Sequence, residues 1–157
     1  VNLHADPLSF GGTATLYLDP LGYNIIVSHA TARYPQETCG IILGRAIGDR
    51  YYALNTAPVP NIHPNSTHHY TMDPTVQLGV YQLADQLQLH PLCVWHTHTT
   101  ALSTTRPSAA DIDNARDGRV LQLILRIEDG TLAGQDVWQV DRHADPPVTP
   151  ARLELLP

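Results

Sequence analysis

The sequence predicts a single α/β domain built on a mixed, mostly buried β-sheet flanked by helices. Three observations lead there. Short apolar runs of strand length recur, the richest being Gly40-Ile41-Ile42-Leu43-Gly44 and Leu92-Cys93-Val94-Trp95. Two Asp-Pro pairs, Asp19-Pro20 and Asp73-Pro74, each stand ahead of a helix-like segment. The strand-like and helix-like segments are interleaved along the chain rather than segregated. At 157 residues and 43% apolar, the chain is large enough for one real core.

In order, residues 1–12 lack periodicity, end in Gly11-Gly12, and read as a flexible lead-in. The domain proper covers 13–142, and 143–157 form a Pro-rich C-terminal tail. Thr13–Leu18 is the first strand. Asp19 is an N-cap and Pro20 fits the first helical position. That helix runs to about Tyr34 and Pro35 closes it. Residues 36–45 are too short for a helix and too apolar for an exposed strand, so they form a central one. Tyr51–Val59 follows the Gly48-Asp49 turn as another strand. Residues 58–68 are a polar, proline-rich loop of a length that is often functional, and His69–Met72 reads as a short strand. Behind Asp73-Pro74, Val76, Val80, Leu83 and Leu87 share one helix face, and Pro91 marks the helix end. A strand over Leu92–Trp95 then leads to two histidines. A Thr/Ser loop, a helix over about 107–116, and strands at Val120–Ile127 and Val137–Val140 complete the domain. Arg152–Leu156 is a candidate last strand.

The net charge is −6, all nine basic residues are arginine, and no basic cluster appears. Nucleic acid is therefore not the expected partner. No apolar run approaches the ~18 residues of a membrane span, so no membrane partner is expected either. The opening Val1–Asp6 lacks a signal-peptide pattern and an initiator Met, so a trimmed, cytoplasmic chain is expected. Cys39 and Cys93 both sit in apolar contexts. They read as a reduced, buried pair, with a single disulfide between two strands as the alternative.

The chemistry gathers around Trp95-His96-Thr97-His98 and Ser108-Ala109-Ala110-Asp111. Alternate side chains of a strand share a face, so His96 and His98 point the same way. Two neutral imidazoles and a carboxylate are a good ligand set for Zn²⁺, and zinc lowers the pKa of a water it binds to about 7. Asp111 is the candidate carboxylate. Alone, however, Ser108 and Asp111 read at least as well as a helix capping box. A proton shuttle would be a further carboxylate. Of the three glutamates, Glu128 lies in a turn and Glu154 near the end, while Glu37 stands at the mouth of the buried strand. A solvated strand-end residue is the alternative reading of Glu37.

Taken together, Glu37 with Gly40 and Gly44, then Val94-Trp95-His96-Thr97-His98, then Pro107-Ser108-Ala109-Ala110-Asp111, resemble the JAMM (MPN+) metalloprotease family. Its pattern is a Glu, then His-x-His, then Ser-x-x-Asp, and the resemblance covers roughly Leu16 to Val140. Thr99, where many members have proline, looks most like the bacterial Mec-type subgroup, which cleaves cysteine from the C-terminus of a small ubiquitin-like sulfur carrier. The resemblance implies a single JAMM/MPN domain with a cytidine-deaminase-like architecture. It makes His96, His98 and Asp111 zinc ligands, Glu37 the general base and acid, and Ser108 the donor to the developing oxyanion.

The implied reaction is hydrolysis of a peptide or isopeptide bond at the C-terminal Gly-Gly of a ubiquitin-like or sulfur-carrier protein, release of cysteine included. Such a tail suits a narrow channel and could add to a sheet edge. One departure from the family pattern is the nine-residue stretch Thr99–Pro107, longer than is usual between the second histidine and the serine. Added loop length costs little closure entropy. His63, His68, His69 and Arg106 are candidate substrate contacts or solvated loop residues. The competing class is a catalytically inactive MPN-type scaffold or protein-interaction module. A nucleobase deaminase needs Pro-Cys-x-x-Cys and a thermolysin-like site needs His-Glu-x-x-His; both patterns are absent.

Overall fold

The computed structural model describes residues 12–101, 103–115 and 120–157. The lead-in expected over 1–12 falls almost wholly outside them. The helix expected over about 107–116 is shorter, Ala109–Asp113, with Ser108 as its N-cap and Asn114 as its C-cap. The elements are β1 (Thr15–Leu18), α1 (Pro20–Ala32), β2 (Cys39–Ile47), β3 (Arg50–Val59), α2 (Pro74–Leu87), β4 (His90–His98), α3 (Ala109–Asp113), β5 (Leu121–Glu128), β6 (Thr131–Val140) and β7 (Val148–Leu155).

Local chemistry starts the helices where the Asp-Pro pairs predict. Asp19 accepts a hydrogen bond from the Gly22 N–H, and Asp73 accepts from Thr75 and Val76. The end of α2 differs from the expected proline stop. Gln88 takes a left-handed conformation, φ 56°, and its N–H caps the Ala84 and Asp85 carbonyls. Pro91 lies inside β4, opposite Leu43, at a register irregularity of the β2–β4 ladder. That is where a residue without an N–H is tolerated.

The sheet is mixed, as expected, but it closes on itself. The order β1-β3-β2-β4-β5-β6-β7 returns to β1 as a barrel. β1 runs parallel to β3 and β7, β4 runs parallel to β5, and the other pairs are antiparallel. Closure depends on β7, whose Arg152–Leu155 pairs with Thr15–Leu18. A substrate tail adding to a free sheet edge is thereby disfavoured, because closure uses up the edges of the ring. The short strand expected at His69–Met72 is only an isolated bridge, Asn61↔Met72. β6 begins at Thr131, six residues before the apolar segment that announced it.

The core has two parts divided by β2 and β4. On one side, Leu16, Ile26, Ile42, Trp95, Leu123 and Leu125 pack with α1. On the other, Ile41, Leu43, Val59, Val80, Ala84 and Leu89 pack with α2. β2 is thus buried on both faces from Cys39 to Gly44, which is why that part of its sequence is continuously apolar. Gly40 makes room for the opposite strand: a Cβ there would lie 2.4 Å from the Trp95 ring. Cys39 and Cys93 are free, buried thiols. Among the described residues no helix is long and apolar enough to cross a membrane.

Candidate metal centre

β4 supplies the two histidines. Trp95 points into the α1 side of the core, so Val94, His96 and His98 share the opposite face. Cys39 pairs with His96, and Thr97 N–H still donates to the Thr38 carbonyl beyond the end of β2. Continuing that register by two residues sets Glu37 opposite His98.

Glu37 is then fixed from both sides. Its N–H donates to the Ser66 carbonyl at 2.7 Å, and its carbonyl accepts from Asn61 Nδ2 at 2.8 Å. Asn61 also accepts from His63 and Thr71 N–H groups, so one side chain ties the base of the 60–72 loop to Glu37. Nothing in the sequence singled out Asn61.

Asp111 arrives from α3. Ser108 Oγ accepts from the Asp111 N–H at 3.1 Å, and Asp111 Oδ2 accepts from the Ser108 N–H at 2.7 Å. The capping box is therefore formed. The same Oδ2 lies 3.3 Å from His96 Nε2 and 3.4 Å from His98 Nε2, and the two Nε2 atoms are 3.2 Å apart. The cap and the His-His-Asp cluster use one carboxylate oxygen and do not exclude each other.

These three distances allow a test of fit. A tetrahedral zinc with ligands at ~2.0–2.1 Å needs donor atoms about 3.3–3.4 Å apart, and the observed triangle matches closely. The tautomer of His98 fits as well. Its Nδ1 is 2.6 Å from the Thr104 carbonyl oxygen, which can only accept. Nδ1 therefore carries a proton; His98 in its neutral form would turn a lone pair at Nε2 toward a metal, and in its protonated form the same Nε2 donates to Asp111. Among the described residues His96 Nδ1 has no hydrogen-bond partner, and packing orients that ring. Tyr70 stacks on it with centroids 4.6 Å apart and planes at 27°. Neither Tyr70 nor Thr104 was legible as a site residue. One is a loop side chain and the other acts through its backbone. Among the described residues, His96, His98 and Asp111 are the sole group of three such side chains able to share an ion.

The electrostatics separate the two carboxylates. Burial pushes the Glu37 carboxyl up to about 7, with His98 opposing and Asp111 adding to the rise. Burial also works against charge on Asp111, but hydrogen bonds with His96 and His98 outweigh it and hold the carboxyl well below the usual range. Burial disfavours the charged form of His98, yet its bonds to Asp111 and Thr104 raise it overall. Burial keeps the Tyr70 phenol protonated and pushes the Cys39 thiol up to about 12, which removes Cys39 as a thiolate nucleophile.

Glu37, His98, Ser108 and Asp111 open onto one cavity of about 1010 Å³. The 60–72 loop walls one side, bringing His63, His68 and His69 to its lining, and the 103–107 stretch walls another, bringing Arg106.

A family model for prokaryotic homologs of the JAB domain matches residues 22–140. The CysO-cysteine peptidase of Mycobacterium tuberculosis is 29% identical over 94 residues, 60% of this chain and 61% of that protein. The probable TtuB-protein conjugate cleaving protease of Thermus thermophilus is 29% identical over 89 residues, 57% of this chain and 55% of that protein. The matched part thus spans less than two thirds of either relative. The solution structure of a Desulfitobacterium hafniense protein superposes with a TM-score of 0.75 at 25% identity, covering 90% of this chain and 92% of that one. A Salinibacter ruber protein gives 0.65 at 21% identity, with 91% of each chain covered; that likeness bears on the fold alone.

Proposed function

This chain belongs to the family of prokaryotic homologs of the JAB domain, and from that premise we propose that it is a zinc-dependent peptidase. It cleaves the bond after the C-terminal Gly-Gly of a ubiquitin-like or sulfur-carrier protein, release of a terminal cysteine included. The observation that carries the reading is the triangle of His96, His98 and Asp111 donor atoms, whose His98 and Asp111 corners share a cavity with Glu37, a carboxyl that burial pushes up to about 7. The names of the two relatives, a CysO-cysteine peptidase and a TtuB-protein conjugate cleaving protease, support a small carrier protein as the substrate class. The same reading gives the mixed sheet and its flanking helices a cytidine-deaminase-like architecture.

His96, His98 and Asp111 would hold the ion. When bound, zinc supplies Lewis acidity and eases deprotonation of water at neutral pH. Glu37 takes the proton from the attacking water and delivers it to the leaving amine. A base with a pKa near the working pH does both halves well. Ser108 Oγ already accepts from the Asp111 N–H, which leaves its own O–H free to donate to the scissile carbonyl as charge develops on that oxygen. Hydrolysis then breaks the C–N bond, places the water oxygen on the carbonyl carbon and protonates the amine.

The test offers the zinc-loaded protein two substrates: a sulfur carrier ending in Gly-Gly-Cys, and a Gly-Gly isopeptide conjugate. Intact mass is read for each. Cleavage after Gly-Gly in either supports the proposal. If both stay intact while zinc is bound, the peptidase reading is overturned and the inactive scaffold is favoured.

A further inference from the structure

We propose that Arg106 binds the free α-carboxylate of the residue that follows the scissile bond, so that a single C-terminal residue is released in preference to an amide-capped or isopeptide-linked one. This rests on the peptidase reading above and names the substrate class of that site.

Arg106 lines the same cavity as Glu37, His98 and Ser108. Among the described residues lining it, no other carries a permanent positive charge. No carboxylate of the described residues forms an ion pair with it. The exposed side chain rests on one ring, and its backbone is held in place. Its central carbon sits 5.4 Å from the centroid of the Trp138 ring, a cation–π distance. Trp138 Nε1 donates to the Thr105 carbonyl at 2.6 Å, and Thr105 Oγ1 donates to Asp136. The Arg106 N–H donates to Thr104 Oγ1 at 3.1 Å, and the Thr104 carbonyl is the group that orients His98.

The segment from Thr104 to Ser108 is thus bolted to the His-His-Asp cluster at both ends and to β6 in the middle. An arginine whose backbone is fixed and whose guanidinium rests on a ring gives up less freedom on binding than a free surface side chain, and its planar fork matches a carboxylate through two parallel N–H···O bonds. Ser108, which would meet the scissile carbonyl, is two residues away. An extended substrate places its next carboxyl group only ~3.3–3.6 Å further along the chain, so both residues act over one short stretch of substrate.

The experiment uses a carrier-tail peptide ending in Gly-Gly-Cys, once as the free acid and once as the C-terminal amide. Cleavage by the wild type, Arg106→Gln and Arg106→Lys proteins is followed by mass, and kcat and KM are separated. The wild type is expected to favour the acid about tenfold, mainly through KM. Arg106→Gln should cleave acid and amide alike, and Arg106→Lys should recover part of the preference. A wild type indifferent to the cap, or an Arg106→Gln protein with the preference intact, overturns the proposal.

Calorimetric binding of the same peptides to Glu37→Gln and to Glu37→Gln/Arg106→Gln separates this from the cleavage reading. If nothing is cleaved but Glu37→Gln binds the acid preferentially through Arg106, carboxylate recognition stands and the peptidase reading falls. Equal binding of acid and amide to Glu37→Gln removes the role assigned to Arg106.

Discussion

Replacing Glu37 by Gln removes a buried ionisable group while keeping its shape, and the consequence for stability depends on pH in a calculable way. A carboxyl whose native pKa is raised binds its proton more tightly folded than unfolded. Its contribution is fully present below the unfolded value of 4.5 and is lost as pH rises through about 7. At ~1.4 kcal/mol per pH unit, that span costs the native state about 3 kcal/mol once the group is fully ionised. Glutamine never ionises and escapes the cost. Asp111 and His98 are present in both proteins and drop out of the difference to first order. The assay is urea unfolding of chelator-treated wild type and Glu37→Gln from pH 5 to 8.5. The variant should become the more stable protein by up to about 3 kcal/mol toward pH 8, with the gap closing toward pH 5. Parallel stability profiles would refute the claim that burial raises Glu37.

Other expectations follow from the same contacts. Gly44→Ala would place a Cβ 1.9 Å from the Tyr52 carbonyl oxygen; chemical unfolding should show a loss at or above the top of the ~1–3 kcal/mol range for overpacking. Ser108→Ala removes a helix cap and the oxyanion donor together. It should cost about 1 kcal/mol in unfolding experiments but reduce cleavage on the order of 10²–10³-fold, while a purely structural Ser108 would leave turnover of the folded protein unchanged. Tyr70→Ala takes away the ring stacked on His96 and should weaken zinc roughly 10–100-fold in a chelator competition, whereas Tyr70→Phe should not.

What the sequence disclosed was what short-range chemistry controls. Asp19-Pro20 and Asp73-Pro74 specify caps within four residues, so the starts of α1 and α2 were readable. The doubly buried β2 announced itself because both faces need apolar side chains. The alternation that turns Trp95 into the core and His96 and His98 away from it follows from strand period alone. The barrel closure was hidden because parallel pairing of β1 with β7 joins residues at opposite ends of the chain. The first half of β6, Thr131–Gln135, mixes small, polar and apolar residues and is partly exposed, held by backbone bonds to β5 that leave no mark on side-chain pattern. At the site, His96, His98, Asp111, Glu37 and Ser108 carried recognisable spacing; Glu37, His98, Ser108 and Asp111 open onto one cavity, and the fully buried His96 reaches Asp111 from behind it. Asn61, Tyr70 and the Thr104 carbonyl did not, because each acts through a loop conformation or a backbone atom.

Three donor atoms spaced as three corners of a zinc tetrahedron carry the proposed chemistry, and zinc content per chain after equilibrium dialysis tests that placement most directly. About one zinc should be retained by the wild type and by Glu37→Gln, and lost from His96→Ala and from Asp111→Ala. A wild type that holds no zinc, or a folded His96→Ala protein that holds as much as the wild type, would contradict it.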